Sequence, residues 1–444
     1  MMRGWKKYLM AEIDPPPVPG FGEALRFWSK LGWISFGGPA GQIAMMHKEI
    51  VERRRWLSEG HFLHALNFCM LLPGPEAQQL ATYLGWRLHG ARGGIAAGVL
   101  FVLPSVLILL GLSWFYMAGG NITWVQGIFY GLIPAVIAIV FSAVKRIGSK
   151  ALKTPGLWAL AGLSFLAISQ FKVSFVIIIL AAALIGFVGG RLYPKQFPAG
   201  KGHGKSNVKE LPCVLLPPGP RATVGRTVLI AGICLTLWWV PVIAAGILLG
   251  WEGIHFQQGL FFSKAALFTI GGAYAVLPYV AQMTVERLEW LSQRQMMAGL
   301  GLAETTPGPL IMVLQFVGFV AAWQHPGSLS PLAAATLGAL ITTWVTFLPC
   351  FLFVFLGAPH VEGLREKPGL ASALTAITAT VVGVILNLAI WFAWHALVPG
   401  EGQIDYFVAV VSTGAWIAME RFKFGMIPTI GACAVLGAIW KLAI

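Results

Sequence analysis

Two proline-glycine motifs carry the groups that could do chemistry in this chain. Pro73-Gly74-Pro75 is followed directly by Glu76, then by Gln78 and Gln79, while Pro307-Gly308-Pro309 is preceded by Glu304, Thr305 and Thr306. Two glycine pairs, Gly37-Gly38 and Gly271-Gly272, each stand seven residues after a lysine, Lys30 and Lys264. Proline removes an amide donor and glycine costs about 1 kcal/mol in a helix interior, so each motif should break a helix that contains it. A break exposes amides at one new helix end and carbonyls at the other; the first suits an anion and the second a cation. The breaks alone leave the sign open. Glu76 and Glu304 could take up a proton or orient a basic partner, and Glu304 is the only Asp, Glu, Lys or Arg between Arg294 and Glu362. A carboxylate in so apolar a run is costly without a task or a structural partner. Lys30 and Lys264 could hold an anion, or could reach from a helix end to lipid headgroups. Asn67, Gln78, Gln79, Thr305 and Thr306 could donate hydrogen bonds to substrate oxygens, while Asn387 is expected to make an interhelical contact.

Other chemistries find little support. His61 and His64 could share a helix face, but no third ligand follows at zinc spacing, so no metal is expected. The five cysteines (Cys69, Cys213, Cys234, Cys350, Cys433) form no C-x-x-C pair and read as inert packing. No phosphate-binding loop, nucleophile elbow or H-E-x-x-H motif is present, so no enzyme activity and no cofactor are expected.

The elements that must position these groups are membrane helices. The chain is 57% apolar and 11% charged, with a mean hydropathy of +0.75, far from the roughly 25% charged residues of soluble domains. Charge-free runs at 93–144, 227–251, 305–361 and 368–400 are long enough to cross a bilayer, the first and third twice each. Shorter apolar runs lie at 154–171, 173–190, 406–419 and 424–440. The chain is also duplicated. F-W-S-K at 27–30 returns as F-F-S-K at 261–264, and V-E-R-R-R-W-L-S at 51–58 returns as V-E-R-L-E-W-L-S at 285–292. Farther on, Leu103-Pro104 maps onto Leu348-Pro349 and Phe171-Lys172 onto Phe422-Lys423. The expectation is an all-α polytopic membrane protein with about 13 hydrophobic segments, six per copy and one between. Its parts are a cytoplasmic tail (1–20), a first repeat (21–190), a basic linker (191–226), an extra span (227–251) and a second repeat (256–444).

The charges orient it. The formal net charge is +14, and the basic residues cluster in connections: Lys145, Arg146, Lys150 and Lys153, and seven more in the linker. By the positive-inside rule both stretches are cytoplasmic, and nucleic acid is not an expected partner. The odd segment turns the second repeat over, so the repeats are inverted. One loop conflicts: if every segment crosses, Lys48, Arg53, Arg54 and Arg55 fall outside. Re-entrant or broken helices at the glycine and proline motifs would return that loop to the cytoplasm; a kinked continuous helix would not. Arg53 and Arg287 occupy equivalent positions and could face a vestibule or pair with the adjacent Glu52 and Glu286.

These residues resemble the chromate ion transporter family in its long, two-domain form. The carriers are F-G-G-P at 36–39, E-R-R-R-W-L at 52–57, L-L-P-G-P at 71–75 with Gln78, G-W-R-L-H-G at 85–90 and L-P-S at 103–105. In the second copy they are I-G-G at 270–272, E-T-T-P-G-P-L at 304–310 and Q-F-V-G-F at 315–319. The resemblance implies a multi-pass inner-membrane protein that exports chromate, with sulfate as a mimic; a different oxyanion carrier or an anion channel would share these features, and a homodimer is compatible with them. A site using both copies would be asymmetric, because Leu310 and Met312 stand where the first copy has Glu76 and Gln78.

Overall fold

The computed structural model describes residues 16–120, 122–198, 214, 223–359, 368–399 and 402–443. Most of the expected tail, most of the linker and Cys213 lie outside the described residues. The first copy comprises α1 (Phe21–Ile34), α2 (Gly38–His47), α3 (Glu59–Cys69), α4 (Glu76–Ala118), α5 (Thr123–Ala151), α6 (Pro155–Ser169) and α7 (Phe175–Leu192). The extra segment is α8 (Val224–Leu249). The second copy comprises α9 (Ile254–Phe268), α10 (Ala273–Ala281), α11 (Gln293–Thr305), α12 (Val313–Gln324), α13 (Pro331–Gly357), α14 (Pro368–Leu397), α15 (Tyr406–Arg421) and α16 (Met426–Ala443). No strand occurs among the described residues, and the apolar runs read from the sequence fall on helices.

The duplication is written into local geometry. A π-helical turn follows α2 at Lys48–Arg53 and α10 at Gln282–Arg287. Ser58 and Ser292 cap α3 and α11, and Thr154 and Asp405 cap α6 and α15. The non-glycine residues with positive φ form two repeat pairs, Arg55 with Glu289 and Lys172 with Lys423. The copies differ at α4, where His89 and Gly90 (φ +61°) leave helical geometry. Beyond them the chain doubles back: a Cβ on Gly85 would sit 2.4 Å from the Gly93 carbonyl oxygen, and one on Gly94 would lie 3.0 Å from that of Thr82. Residues 76–88 and 91–118 are therefore an antiparallel helix pair, matching α12 and α13 in the second copy.

The early helices are re-entrant. At 1.5 Å per residue, the 14 residues of α1 and the 11 of α3 fall short of the roughly 20 needed to cross. Both ends of each hairpin return to one side. Arg54, just after α2, pairs with Glu23 at the start of α1 at 3.2 Å, and its guanidinium lies over the rings of Phe27 and Trp56. His89, after the first half of α4, meets the Pro19 carbonyl at 2.8 Å and packs edge-on to Phe21. The Val214 amide from the basic linker donates to the Arg55 carbonyl at 3.1 Å. The three-arginine loop thus shares the linker's side, and the charge conflict disappears. Among the described residues seven helices are long and apolar enough to cross a membrane, α4, α5, α7, α8, α13, α14 and α16; the expected inversion of the second copy requires α6 and α15, of 15 and 16 residues, to cross as well.

The copies interlock. The long helix α5 packs against α15 and α16, and its counterpart α14 packs against α6 and α7. Small residues permit this approach: a Cβ on Gly131 would lie 2.1 Å from the Cys433 carbonyl oxygen, and one on Gly186 would lie 2.5 Å from Ala376 Cβ.

Candidate functional site at the helix breaks

The four breaks meet across the two copies, and they do so reciprocally. The Gly74 amide donates to the Thr269 carbonyl at 2.7 Å, and the Gly308 amide donates to the Ser35 carbonyl at 2.8 Å. Ser35 and Thr269 each turn their hydroxyl back onto their own helix, to Leu31 and Ala265. A Cβ on Gly74 would lie 2.6 Å from Cys350 Sγ, and one on Gly308 would lie 2.8 Å from Ser105 Cβ. Each Pro-Gly-Pro of one copy therefore closes on the glycine pair of the other. The glycines are required: φ is +91° and +68° at Gly37 and Gly38, +127° at Gly74, +85° and +97° at Gly271 and Gly272, and +108° at Gly308. Pro75 and Pro309 occupy the N-cap positions of the helical segments that follow, and Pro73 and Pro307 begin the turns.

Each break starts a helical segment whose first amides receive no side-chain cap. This holds at Gly38, Glu76, Ala273 and Leu310, as it does at the starts of α1, α5, α7, α8, α9 and α13, whereas α3, α6, α11 and α15 begin with capping side chains; what sets the four breaks apart is their meeting between the copies. Four uncapped N-terminal ends in the protein interior make the region electropositive. An acid already answers to it: Glu76 Oε1 would lie 3.3 Å from a Cβ on Gly272, so its carboxylate sits against the start of α10.

The rest of the lining is asymmetric. Tyr274 donates to Glu304 Oε1 at 2.7 Å, and both side chains are buried. The charge of Arg146, near the C-terminal end of α5, acts on both of them. Gln42 donates to the carbonyls of Ser35 and Gly308, tying the first glycine break to the second proline break. Gln79 donates to the Pro73 carbonyl at 2.6 Å and Gln78 donates to Thr82 at 3.1 Å. Among the described residues, the Ser105 hydroxyl and the amide oxygens of Gln42, Gln78 and Gln79 are buried without a hydrogen-bond partner. Thr305 and Thr306 turn their hydroxyls back to Leu302 and Ala303.

Other candidates lie elsewhere. Lys30 and Lys264 are exposed, Lys30 in a shallow recess with Leu25, Arg26, Ser29 and Leu100. Arg53 is exposed and pairs with Glu49 at 2.7 Å rather than with the adjacent Glu52, which meets His47 at 3.3 Å. A helical turn aligns positions four apart and splays neighbours, which explains the exchange. Arg287 is exposed, and Asn387 lines a cavity between helices toward the C-terminal end of α14. Cys69, Cys234, Cys350 and Cys433 are buried and free. Tyr274 and Gln42 were not marked by the sequence motifs, while Arg146 was read only as part of a basic cluster and Ser105 only as part of the L-P-S motif, neither as a site residue. Tyr274 and Gln42 answer to Ala40 and Val276 in the other copy, so the repeat gave no signal for them.

The fold and these breaks define a polytopic α-helical membrane protein whose duplicated halves surround a common centre, the plan of many secondary transporters. The chain belongs to the chromate transporter family, whose model matches residues 22–187 and 256–438. A chromate transport protein of Cupriavidus metallidurans is 30% identical over 427 residues, covering 96% of this chain and 95% of the relative. A chromate transport protein of Pseudomonas aeruginosa is 32% identical over 382 residues, covering 84% of this chain and 81% of the relative. A probable chromate transport protein of Synechococcus elongatus is 27% identical, covering 94% of this chain and 95% of the relative. No solved structure matches the chain.

Proposed function

We propose that this protein is a secondary carrier that exports chromate, or a closely similar oxyanion such as sulfate, across the inner membrane by alternating access. The observation that carries the reading is the meeting of four uncapped helix starts at breaks bonded reciprocally between the copies. Amides of that kind bind tetrahedral oxyanions without a fixed cation. In this reading the backbone amides at Gly37, Gly38, Gly271 and Gly272 hold the anion, while Gly74 and Gly308, whose amides are bonded to Thr269 and Ser35, and Pro73, Pro75, Pro307 and Pro309 shape the cradle. The unpaired Ser105 hydroxyl and the Gln78 amide nitrogen complete the shell; Thr305 and Thr306 give their hydroxyl protons to Leu302 and Ala303 and only border it. Lys30 and Lys264, exposed on their helices, are assigned to the headgroup side, and Arg53, Arg54, Arg55 and Arg287 to the two mouths.

Direction follows from charge. A dianion leaving a cell about 100 mV negative inside gains roughly 2.3 kcal/mol per charge, about 4.6 kcal/mol in all. That corresponds to about three powers of ten in concentration. Export needs no further fuel, and proton coupling through Glu76 or Glu304 would add to control rather than supply the only drive. Glu76 occupies the electropositive region when substrate is absent, and a bound oxyanion would displace or protonate it.

The test is chromate flux in proteoliposomes with sulfate as competitor. Saturable flux, inhibited by sulfate, supports the carrier; flux that rises linearly with concentration and exceeds carrier turnover identifies a channel instead.

A further inference from the structure

The end of the molecule opposite the basic linker carries a cavity of about 260 Å³. Its wall combines three elements: Lys172 from the turn between α6 and α7, Gln282 and Glu286 from the π-helical turn after α10, and Asn387, Trp391 and His395 from α14. The volume holds a tetrahedral oxyanion with several waters, at roughly 30 Å³ per water. Its polar lining is the exposed Lys172, in a turn whose φ of +52° is repeated at the counterpart Lys423, with the amides of Gln282 and Asn387 and the Glu286 carboxylate. His395 Nδ1 lies 2.8 Å from the Trp391 carbonyl, which can only accept, so Nδ1 donates there and the imidazole is not counted among the donors to an anion.

The duplication shows what kind of mouth this is. Close packing fixes the register of α5 and α14, since Gly127 meets Gly437 as Ser372 meets Gly190 one turn from Gly186. In that register Trp391 answers to Arg146, His395 to Lys150 and Gln282 to Lys48. The positions that line this cavity therefore have counterparts at the other end of the duplicated fold, where three of them are cationic, Arg146, Lys150 and Lys48. The charge of Arg146 also acts on the Tyr274 and Glu304 pair beside the breaks.

We infer that the outer cavity is a low-affinity oxyanion subsite, the release-side partner of the Arg146 mouth, with Lys172 and Asn387 as its fixed donors. The inference rests on the reading of the chain as an oxyanion carrier. Replacing Arg146 by Trp391 lowers the hold on the ion where it must leave, and this orders the two mouths from tight to loose along the export direction. Exposed Trp394 and Ile390 border the cavity, so the same oxyanion chemistry could come from a free ion or from a lipid phosphate.

Equilibrium binding of radiolabelled sulfate to the full chain in nanodiscs separates these cases. In phosphatidylcholine nanodiscs two classes of site are expected. Lys172→Gln should weaken the weaker class about tenfold, the loss of one charge-assisted hydrogen bond. Trp391→Arg should tighten the same class about tenfold, and the stronger class, which also reports folding, should move less than twofold in both variants. An unchanged weaker class, or equal shifts in both classes, would overturn the inference. So would an effect of Lys172→Gln that requires phosphatidylglycerol in the nanodisc, because that assigns the cavity to lipid phosphate. Expected binding shifts in a protein that carries no oxyanion across vesicles would instead count against the proposed function and leave the subsite standing.

Discussion

Alanine at Gly74 probes the reciprocal closure of the breaks most sharply. It would force a side chain into φ +127° and place a Cβ 2.6 Å from Cys350 Sγ and 2.7 Å from Gln79 Nε2. The backbone strain costs about 1–3 kcal/mol and overpacking about 1–3 kcal/mol, so the expected loss is about 2–6 kcal/mol. The Gln79 amide can swing aside, but Cys350 is fully buried on α13 and cannot. At about 2 °C per kcal/mol for a large domain, the melting temperature in detergent should fall by roughly 4–12 °C. Adding Cys350→Ala removes the sulfur and should recover the overpacking part, about 1–3 kcal/mol, while the strain remains. The counterpart pair, Gly308→Ala with Ser105→Gly, should behave in the same way, since the Cβ there meets Ser105 Cβ at 2.8 Å. A Gly74→Ala protein that melts like the parent, or a Cys350→Ala background that gives no recovery, would refute the geometry on which the site is built.

Three further outcomes are expected. Gln42→Ala removes the side chain that donates to both Ser35 and Gly308; a loss of about 1–3 kcal/mol in thermal unfolding should follow, with lower flux, because two buried carbonyls lose a donor. Tyr274→Phe leaves the buried Glu304 carboxylate without its 2.7 Å donor, and transport should fall at least tenfold while Tyr406→Phe, exposed at the start of α15, serves as a control. Lys30→Ala and Lys264→Ala should each leave the half-saturation for chromate within about twofold, as expected of exposed cations that are screened by solvent; a tenfold rise in either would return the lysines to the anion shell.

What could be read from sequence was what backbone chemistry dictates locally. Gly37-Gly38, Pro73-Gly74-Pro75 and their repeats announce breaks because no L-residue favours the conformations that Gly74 and Gly308 adopt. The re-entrant hairpins followed from charge, since Arg53, Arg54 and Arg55 had to join the linker's side, and the contacts of Arg54 with Glu23 and of Arg55 with Val214 show that they do. Pairings between distant segments were not legible. Tyr274 and Glu304 are 30 residues apart and Gln42 and Gly308 are 266 apart; nothing in either local sequence names the other. The His-Gly dipeptide at 89–90 concealed a full chain reversal that only packing of Gly85 on Gly93 reveals. Asn387 looked like an interhelical polar contact because a lone amide in an apolar run usually is one, but the π-helical turn after α10 opens a cavity beside it.

The centre of this account is one oxyanion site, shared by both copies and emptied outward by the membrane potential. Chromate flux through proteoliposomes of fixed orientation, at a clamped potential, tests it directly. With the cytoplasmic face outward, uptake should accelerate when the lumen is made positive, and the accumulation ratio should grow by about three powers of ten for 100 mV. Chromate uptake that is the same at zero and at 100 mV would contradict potential-driven export.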